Sequence, residues 1–421
     1  MSKKIQAIRG MNDLLPADSK IWNFLDSTIN NLLLSYGYKY CRTPNVESTE
    51  TFSRAIGEVT DIVEKEMYTW KDNNGDSLTL RPEGTAGVVR MMIEHNLPRE
   101  GIQKVFYNGP MFRHERPQKG RYRQFHQVGA EVFGATDAKI DAELISITDS
   151  LWKSLKINAQ LEINSLGSTE SRKSYRKILT NYFNENKNKL DDDSLRRLSS
   201  NPLRILDSKN KDLESLISKA PKMIDYLDDE SLEHFNALKK YLECLDIPYT
   251  VNSKLVRGLD YYNKTVFEWV SNELGSQGTI CGGGRYDGLV EKMGGNPTPA
   301  IGFAMGLERI ALLIQDKSNE LMTDRPHLYF VSVGENAHFE SMKTSRKILQ
   351  NIPNITITND ISIGTLKSQM KKANKSGADF ALILGEEELS KNVISFKPLK
   401  GQGVQQSIEL EGIIQHLQEI L

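Results

Sequence analysis

The 421-residue sequence predicts a mixed α and β architecture: a large domain interrupted by a helical insertion, then a small α/β domain. Three observations predict it. Two runs of alternating apolar residues separated by a charged stretch, over 103–133, read as one long hairpin. At about 168–244 the composition shifts to Lys, Asn, Ser, Asp and Leu with apolar residues at helical spacing. Beyond Pro326 short apolar runs alternate with helical segments, the rhythm of an α/β unit. Dividing the length by a typical domain of roughly 150 residues gives two to three domains.

Taken in order, Ile21 to Tyr36 places Leu25, Ile29, Leu32 and Leu33 at helical spacing before a Gly37 stop, and Tyr38 to Val46 is extended chain interrupted by Pro44. The hairpin runs Gln103 to Arg113, through a charged tip at Glu115 to Gln124, and back along Phe125 to Phe133. The insertion carries its apolar stripe in residues such as Leu213, Leu216 and Ile217. Strand signals return through Tyr249 to Val270, followed by a glycine-rich stretch, a helix from about Tyr286 and a strand-to-helix unit over Ala300 to Ile314. Thr323 to Pro326 reads as a linker, which divides the chain into domains at 1–322 and 327–421. In the second, runs Leu328–Val333, Ile355–Thr358, Phe380–Leu384 and Val393–Phe396 alternate with helices at 337–351 and 364–376.

Composition bounds the function. With 54 basic and 55 acidic side chains the net charge is -1, so affinity for a polyanion has to come from a local basic patch rather than the whole-molecule field. No apolar run approaches the roughly 18 residues needed to span a bilayer, and the Met-Ser-Lys-Lys start lacks a signal-peptide core, so a soluble cytoplasmic protein with no membrane partner is expected. Cys41, Cys244 and Cys281 are widely spaced and odd in number, which gives neither a disulfide framework nor paired metal ligands. The seven histidines include no His-Glu-x-x-His, so no metal ligand is assigned among the side chains.

Five places carry chemistry. On the returning hairpin strand Phe125, Gln127, Gly129, Glu131 and Phe133 share one face, so Gln127 and Glu131 point the same way, either into solvent or into a binding site. At the tip Arg113, Arg116, Lys119, Arg121 and Arg123 put five cations into eleven residues, a density that suits phosphate as well as a solvated loop. Cys281 to Gly288 reads either as a tight turn or as backbone approached closely by a ligand, and it matches neither a Rossmann nor a P-loop frame. Arg309 sits near a helix N-terminus, where a cation opposes the macrodipole and an anionic ligand would offset it. Arg257 to Tyr262 adds an arginine and two tyrosines at a bend between strands.

The strings Ile8-Arg9-Gly10-Met11-Asn12-Asp13, Arg81-Pro82-Glu83-Gly84-Thr85, Phe112-Arg113-His114-Glu115-Arg116, Leu255-Val256-Arg257-Gly258-Leu259-Asp260-Tyr261-Tyr262, Gly282-Gly283-Gly284-Arg285-Tyr286-Asp287 and Gly302-Phe303-Ala304-Met305-Gly306-Leu307-Glu308-Arg309 together resemble the histidyl-tRNA synthetases of the bacterial type. They span residues 8–309 in the family's order, and Pro44, Arg113 and Arg309 resemble the signature residues of the three class II motifs. The resemblance implies an α+β fold, a class II antiparallel sheet flanked by helices, with an α/β anticodon-binding domain after it. The His-Ile-Gly-His and Lys-Met-Ser-Lys-Ser signatures of class I synthetases are absent.

It also implies roles. Histidine joins ATP as histidyl-adenylate and then passes to the terminal ribose of tRNA(His), in a homodimer, with Mg²⁺ bridging phosphate oxygens and no DNA partner. Arg113 and Arg257 are the catalytic residues, neutralising the α-phosphate from opposite sides, while Arg121 reaches the outer phosphates and Arg309 stacks on adenine. Glu83, Thr85 and Gln127 take the α-ammonium of L-histidine; Glu131 and Tyr262 take its imidazole, with Tyr261 nearby. Arg116, Gln118 and Arg123 are candidates for the tRNA acceptor end. The competing reading is a non-catalytic histidine sensor resembling the regulatory subunit of ATP phosphoribosyltransferase. Such paralogues usually lose the C-terminal domain and the ATP-binding arginines, and this chain keeps both.

Overall fold

The computed structural model describes residues 4–421 apart from 58, 59, 61, 209, 323–325, 363 and 402. Two compact units are present, Met1–Leu321 and Met322–Leu421. Of the expected linker, 323–325 lie outside the described residues.

The first unit contains strands β1 (Lys39–Tyr40), β2 (Val46–Ser48), β3 (Tyr68–Lys71), β4 (Ser77–Leu80), β5 (Gln103–Phe112), β6 (Gln124–Phe133), β7 (Gln160–Ser165), β8 (Tyr249–Val251), β9 (Asn263–Val270), β10 (Thr279–Arg285) and β11 (Ala300–Gly306). Eight of them form one sheet in the order β1-β5-β6-β11-β10-β9-β7-β8; β2, β4 and β3 form a small separate sheet. The expected antiparallel sheet is mixed at its edges: β5 through β7 pair antiparallel, but β1 runs parallel to β5 and β8 parallel to β7. Both edge strands fall inside stretches read as extended, 38–46 and 249–270, but two or three residues carry no periodicity that would set their bounds or direction.

Helices cover both faces. Helix Ser19–Ser35 buries Leu25, Ile29 and Leu33, each one turn after the last, against the same core as Val128, Ala130 and Val132 of β6. Helices Ala138–Ser154 and Leu307–Ile314 join that core, as do Phe235, Leu238 and Leu242 of helix Asp229–Cys244, the last helix of the insertion. The opposite face packs Phe52, Val88, Val89 and Met92 of helices Thr49–Ile56 and Thr85–Glu94 with Tyr175, Leu179 and Phe183 of helix Thr169–Glu185. A buried ion pair fixes the end of β10: both oxygens of Asp141 bind Arg285, at 2.7 and 3.1 Å, and Asp141 also meets His234 at 2.7 Å.

The glycine-rich stretch differs from its reading as a turn. Gly282, Gly283 and Gly284 lie inside β10, and the helix after Tyr286 is only Leu289–Lys292. Glycine normally weakens a strand interior and marks a place where another group comes close.

The second unit contains β12 (His327–Ser332), β13 (Thr356–Asn359), β14 (Phe380–Leu384), β15 (Val393–Pro398) and β16 (Gln406–Glu409), ordered β13-β12-β14-β15-β16. The three parallel strands are linked by helices Glu335–Asn351 and Leu366–Lys375, as the alternating rhythm predicts. β16 and the closing helix Ile413–Ile420 add to that reading.

Candidate active site

A cavity of about 350 Å³ opens on the sheet face that carries Gln127 and Glu131, lined by residues from Glu83 to Arg309. Its size falls in the ordinary range for small-molecule sites, roughly 300–1,000 Å³. Both side chains are buried, which decides between the solvated and the binding readings of that face. Gly302 of β11 lies directly across from Glu131, and a methyl group there would collide with the Glu131 carboxylate. The missing side chain therefore makes the pocket floor.

Glu131 accepts from Thr85 Oγ1 at 2.8 Å and from the hydroxyl of Tyr286. Burial pushes its carboxyl up to about 8, against the pull of those two donors. Glu83 caps helix Thr85–Glu94, accepting from the backbone N–H of Thr85 at 2.7 Å and of Ala86 at 2.9 Å. Burial raises Glu83 as well, opposed by those N–H groups and by Arg113. Gln127 Oε1 accepts from the Gly84 N–H at 3.0 Å and from the Tyr107 hydroxyl at 3.3 Å. Tyr261 and Tyr262 stack side by side at 4.6 Å between centroids, and Tyr286 meets both rings edge-on. Burial keeps the phenols of Tyr107, Tyr261 and Tyr286 neutral, so each remains a hydrogen-bond donor.

Four arginines line the same cavity. Arg113 is held by the Pro82 carbonyl at 2.8 Å and lies 5.2 Å from the Phe125 ring. Arg257 pairs with Glu268, lies over the Tyr262 ring at 5.6 Å, and has its Nε buried with no protein partner. Burial alone would lower its pKa, but Glu268 and the Tyr262 phenol reverse the direction and keep the guanidinium charged. Arg121 pairs with Glu115, and Arg309 donates to the Thr279 carbonyl at 2.6 Å.

The structure thus gathers Glu83, Thr85, Arg113, Arg121, Gln127, Glu131, Arg257, Tyr261, Tyr262 and Arg309 around one cavity. Arg116, Gln118 and Arg123 are not among its lining residues. Arg116 and Gln118 are exposed on the hairpin tip, whereas Arg123 is half-buried, donating to the Glu115 carbonyl at 3.2 Å. Sequence reasoning assigned no role to Tyr107, Tyr286 or Glu268. Tyr286 stood in a quoted string, but nothing local says that its hydroxyl reaches Glu131.

An arginine-lined cavity on one face of a mixed sheet, followed by a separate small α/β unit, is the arrangement of a class II aminoacyl-tRNA synthetase. Residues 10–310 match the family model described as histidyl-tRNA synthetase, and residues 328–420 match that of an anticodon binding domain. Over the full length of both chains the protein is 62% identical to the histidine–tRNA ligase of Ruthia magnifica subsp. Calyptogena magnifica and 59% identical to that of Vesicomyosocius okutanii subsp. Calyptogena okutanii. The crystal structure of apo S. aureus histidyl-tRNA synthetase superposes with a TM-score of 0.81 at 36% identity, covering 98% of this chain and 99% of that one. The chain belongs to the histidyl-tRNA synthetase family.

Proposed function

We propose that the protein ligates L-histidine to tRNA(His) in two steps, by way of histidyl-adenylate. The observation that carries this reading is the convergence of Arg113, Arg257 and Arg309 on the cavity that holds the buried Gln127 and Glu131 face. In the first step a carboxylate oxygen of histidine attacks the α-phosphorus of ATP and pyrophosphate leaves. In the second the terminal ribose hydroxyl attacks the acyl carbon and AMP leaves.

Attack of one anion on another needs neutralised charge and alignment. Arg113 and Arg257 supply the charge at the α-phosphate, Arg121 reaches the outer phosphates and Arg309 covers the adenine. The buried, unpartnered Nε of Arg257 fits a ligand-binding donor. Glu83, Thr85 and Gln127 receive the α-ammonium. Glu131 and Tyr262 bracket the imidazole, with Tyr261 beside them; a site of paired hydrogen bonds rejects apolar analogues by roughly 10⁴-fold or more.

A Mg²⁺ ion bound with the nucleotide would supply further neutralisation of phosphate charge. Among the described residues no three His, Cys, Asp or Glu side chains group as metal ligands. Each cavity carboxylate is engaged: Glu83 by backbone N–H groups, Glu115 by Arg121, Glu131 by Thr85 and Tyr286, and Glu308 by the His126 N–H at 2.8 Å. The cavity carboxylates are thus already partnered, and this chain's own contribution at the phosphates is the arginines.

Arg116, Gln118 and Arg123 are our candidates for the acceptor end of tRNA, and residues 327–421 for its anticodon end, with 1–322 as the catalytic domain. We assign the protein to the cytoplasm as a homodimer; Leu34, Tyr40 and Val46, exposed apolar residues flanking Pro44, support a two-fold interface there. Among the described residues no helix is long and apolar enough to cross a membrane. Histidine-dependent exchange of pyrophosphate into ATP, together with charging of tRNA(His), tests the reading. Exchange and charging with histidine alone among the amino acids are expected; histidine binding with neither activity would return the protein to the sensor class.

A further inference from the structure

Glu268 lies on β9 directly across from Gly282 of β10, where a side chain would collide with the Arg257 guanidinium. Its two carboxylate oxygens have different partners. One takes Nη1 of Arg257; the other accepts from Oγ1 of Thr279 at 2.9 Å. The β9–β10 register slips between Thr279 and Cys281, and such a bulge re-aims a side chain beside a site. Here it brings the Thr279 hydroxyl to Glu268. The carbonyl of the same threonine accepts from Nη1 of Arg309. Arg257, Glu268, Thr279 and Arg309 are thus joined hydrogen bond to hydrogen bond along one wall.

We propose that Glu268 and Thr279 are positioning residues for adenylate formation, holding Arg257 and Arg309 in fixed relation so that one nucleotide meets both. The inference rests on the reading that Arg257 serves the α-phosphate. An arginine side chain has many rotamers, and the binding energy of a phosphate is wasted if it has to order them first. Glu268 occupies Nη1 and leaves the buried Nε of Arg257 for the ligand. It also sets a negative charge beside a cation that would otherwise be buried unpaired in the protein without nucleotide.

The test measures histidine-dependent pyrophosphate exchange and thermal melting on the full chain. Glu268→Gln is expected to lower kcat about 10²-fold, the usual consequence of a misplaced reacting group, with little change in KM for histidine. Thr279→Val keeps every charge and is expected to lose about tenfold through one hydrogen bond to a charged group, whereas Thr279→Ser should restore the parental rate. In an Arg257→Ala background, Glu268→Gln should cost nothing more. A parental kcat in a folded Glu268→Gln protein would overturn the inference, as would equal impairment of the two Thr279 variants. Full additivity of Glu268→Gln with Arg257→Ala would overturn it too, by showing that Glu268 acts directly. Should Glu268→Gln fail to fold, the Thr279 pair still decides. A parental rate in Arg257→Ala would sink the role of Arg257 itself; a crippled Arg257→Ala beside an unaffected Glu268→Gln sinks only the positioning.

Discussion

Thr85 and Glu131, separated by 46 positions in sequence, share a buried hydrogen bond of 2.8 Å in which the threonine hydroxyl donates to the carboxylate. The bond ties the first turn of helix Thr85–Glu94 to the floor of the pocket on β6. Despite it, burial holds the Glu131 carboxyl at about 8, above its ordinary 4.5.

A raised carboxyl makes a definite contribution to stability against pH. Below 4.5 both the folded and unfolded chains keep the proton and nothing is lost. As pH rises from 4.5 towards 8 the unfolded chain releases it first, so this group makes the fold progressively less stable across that window, and the loss levels off above 8. Glu131→Gln should remove this component. Denaturant midpoints of parent and variant from pH 4 to 9 check it; parallel curves would mean that Glu131 does not titrate there.

Arg257→Ala should lose adenylate formation by about 10²-fold to 10³-fold while the protein stays folded and binds histidine, since its work is on the charge of the transition state. Pyrophosphate exchange and calorimetric binding of histidine separate the two. Exchange at the parental rate would remove Arg257 from the catalytic set.

Sedimentation at micromolar concentration should give twice the chain mass of 47.7 kDa. Placing a charge at Tyr40, exposed next to the Pro44 turn, should shift the population towards single chains. A fully active species of one chain mass would contradict the two-fold assembly.

A fragment of residues 1–322 should still activate histidine, because the cavity is built wholly from residues between Glu83 and Arg309. Its charging of tRNA should fall, with the loss mainly in KM for tRNA and growing with salt, as the removal of a phosphate-binding surface implies. Equal charging by fragment and full chain would withdraw the anticodon role from residues 327–421.

Legibility followed periodicity. The hairpin was readable because Phe125 to Phe133 alternates strictly, and it forms within a residue of the expected bounds. The stripe of helix Ser19–Ser35 was readable for the same reason. β16, Gln-Ser-Ile-Glu, is polar on an outer strand and left no signal, nor did the three short strands of the separate sheet. In the site, Gln127 and Glu131 were legible by their shared face. Tyr107 was not: among the apolar residues of β5 it reads as core, and only the cross-strand pairing with Gly129 shows the space its ring enters. Of the two readings of the glycines of β10 the turn fails and close approach holds, but sequence could not say by what: Gly282 makes room for Arg257, which comes from another segment.

The segment between β7 and β8 is less detachable than its composition suggests. Parallel neighbours cannot be joined by a tight turn, and helix Asp229–Cys244 is the return path, so it serves the sheet as much as the segment it ends. At the other end, Arg172 of helix Thr169–Glu185 donates to the carbonyls of Asp260 at 3.1 Å and Tyr262 at 2.6 Å, bracing the turn that presents the tyrosine pair. The middle is bonded in as well: Asn201 donates to the Asp260 side chain at 2.7 Å, and Leu198, Leu203 and Ile205 pack in one core with Tyr261 and Tyr262, so the segment is masonry from end to end and a rebuilt middle would reach the room in which the chemistry happens.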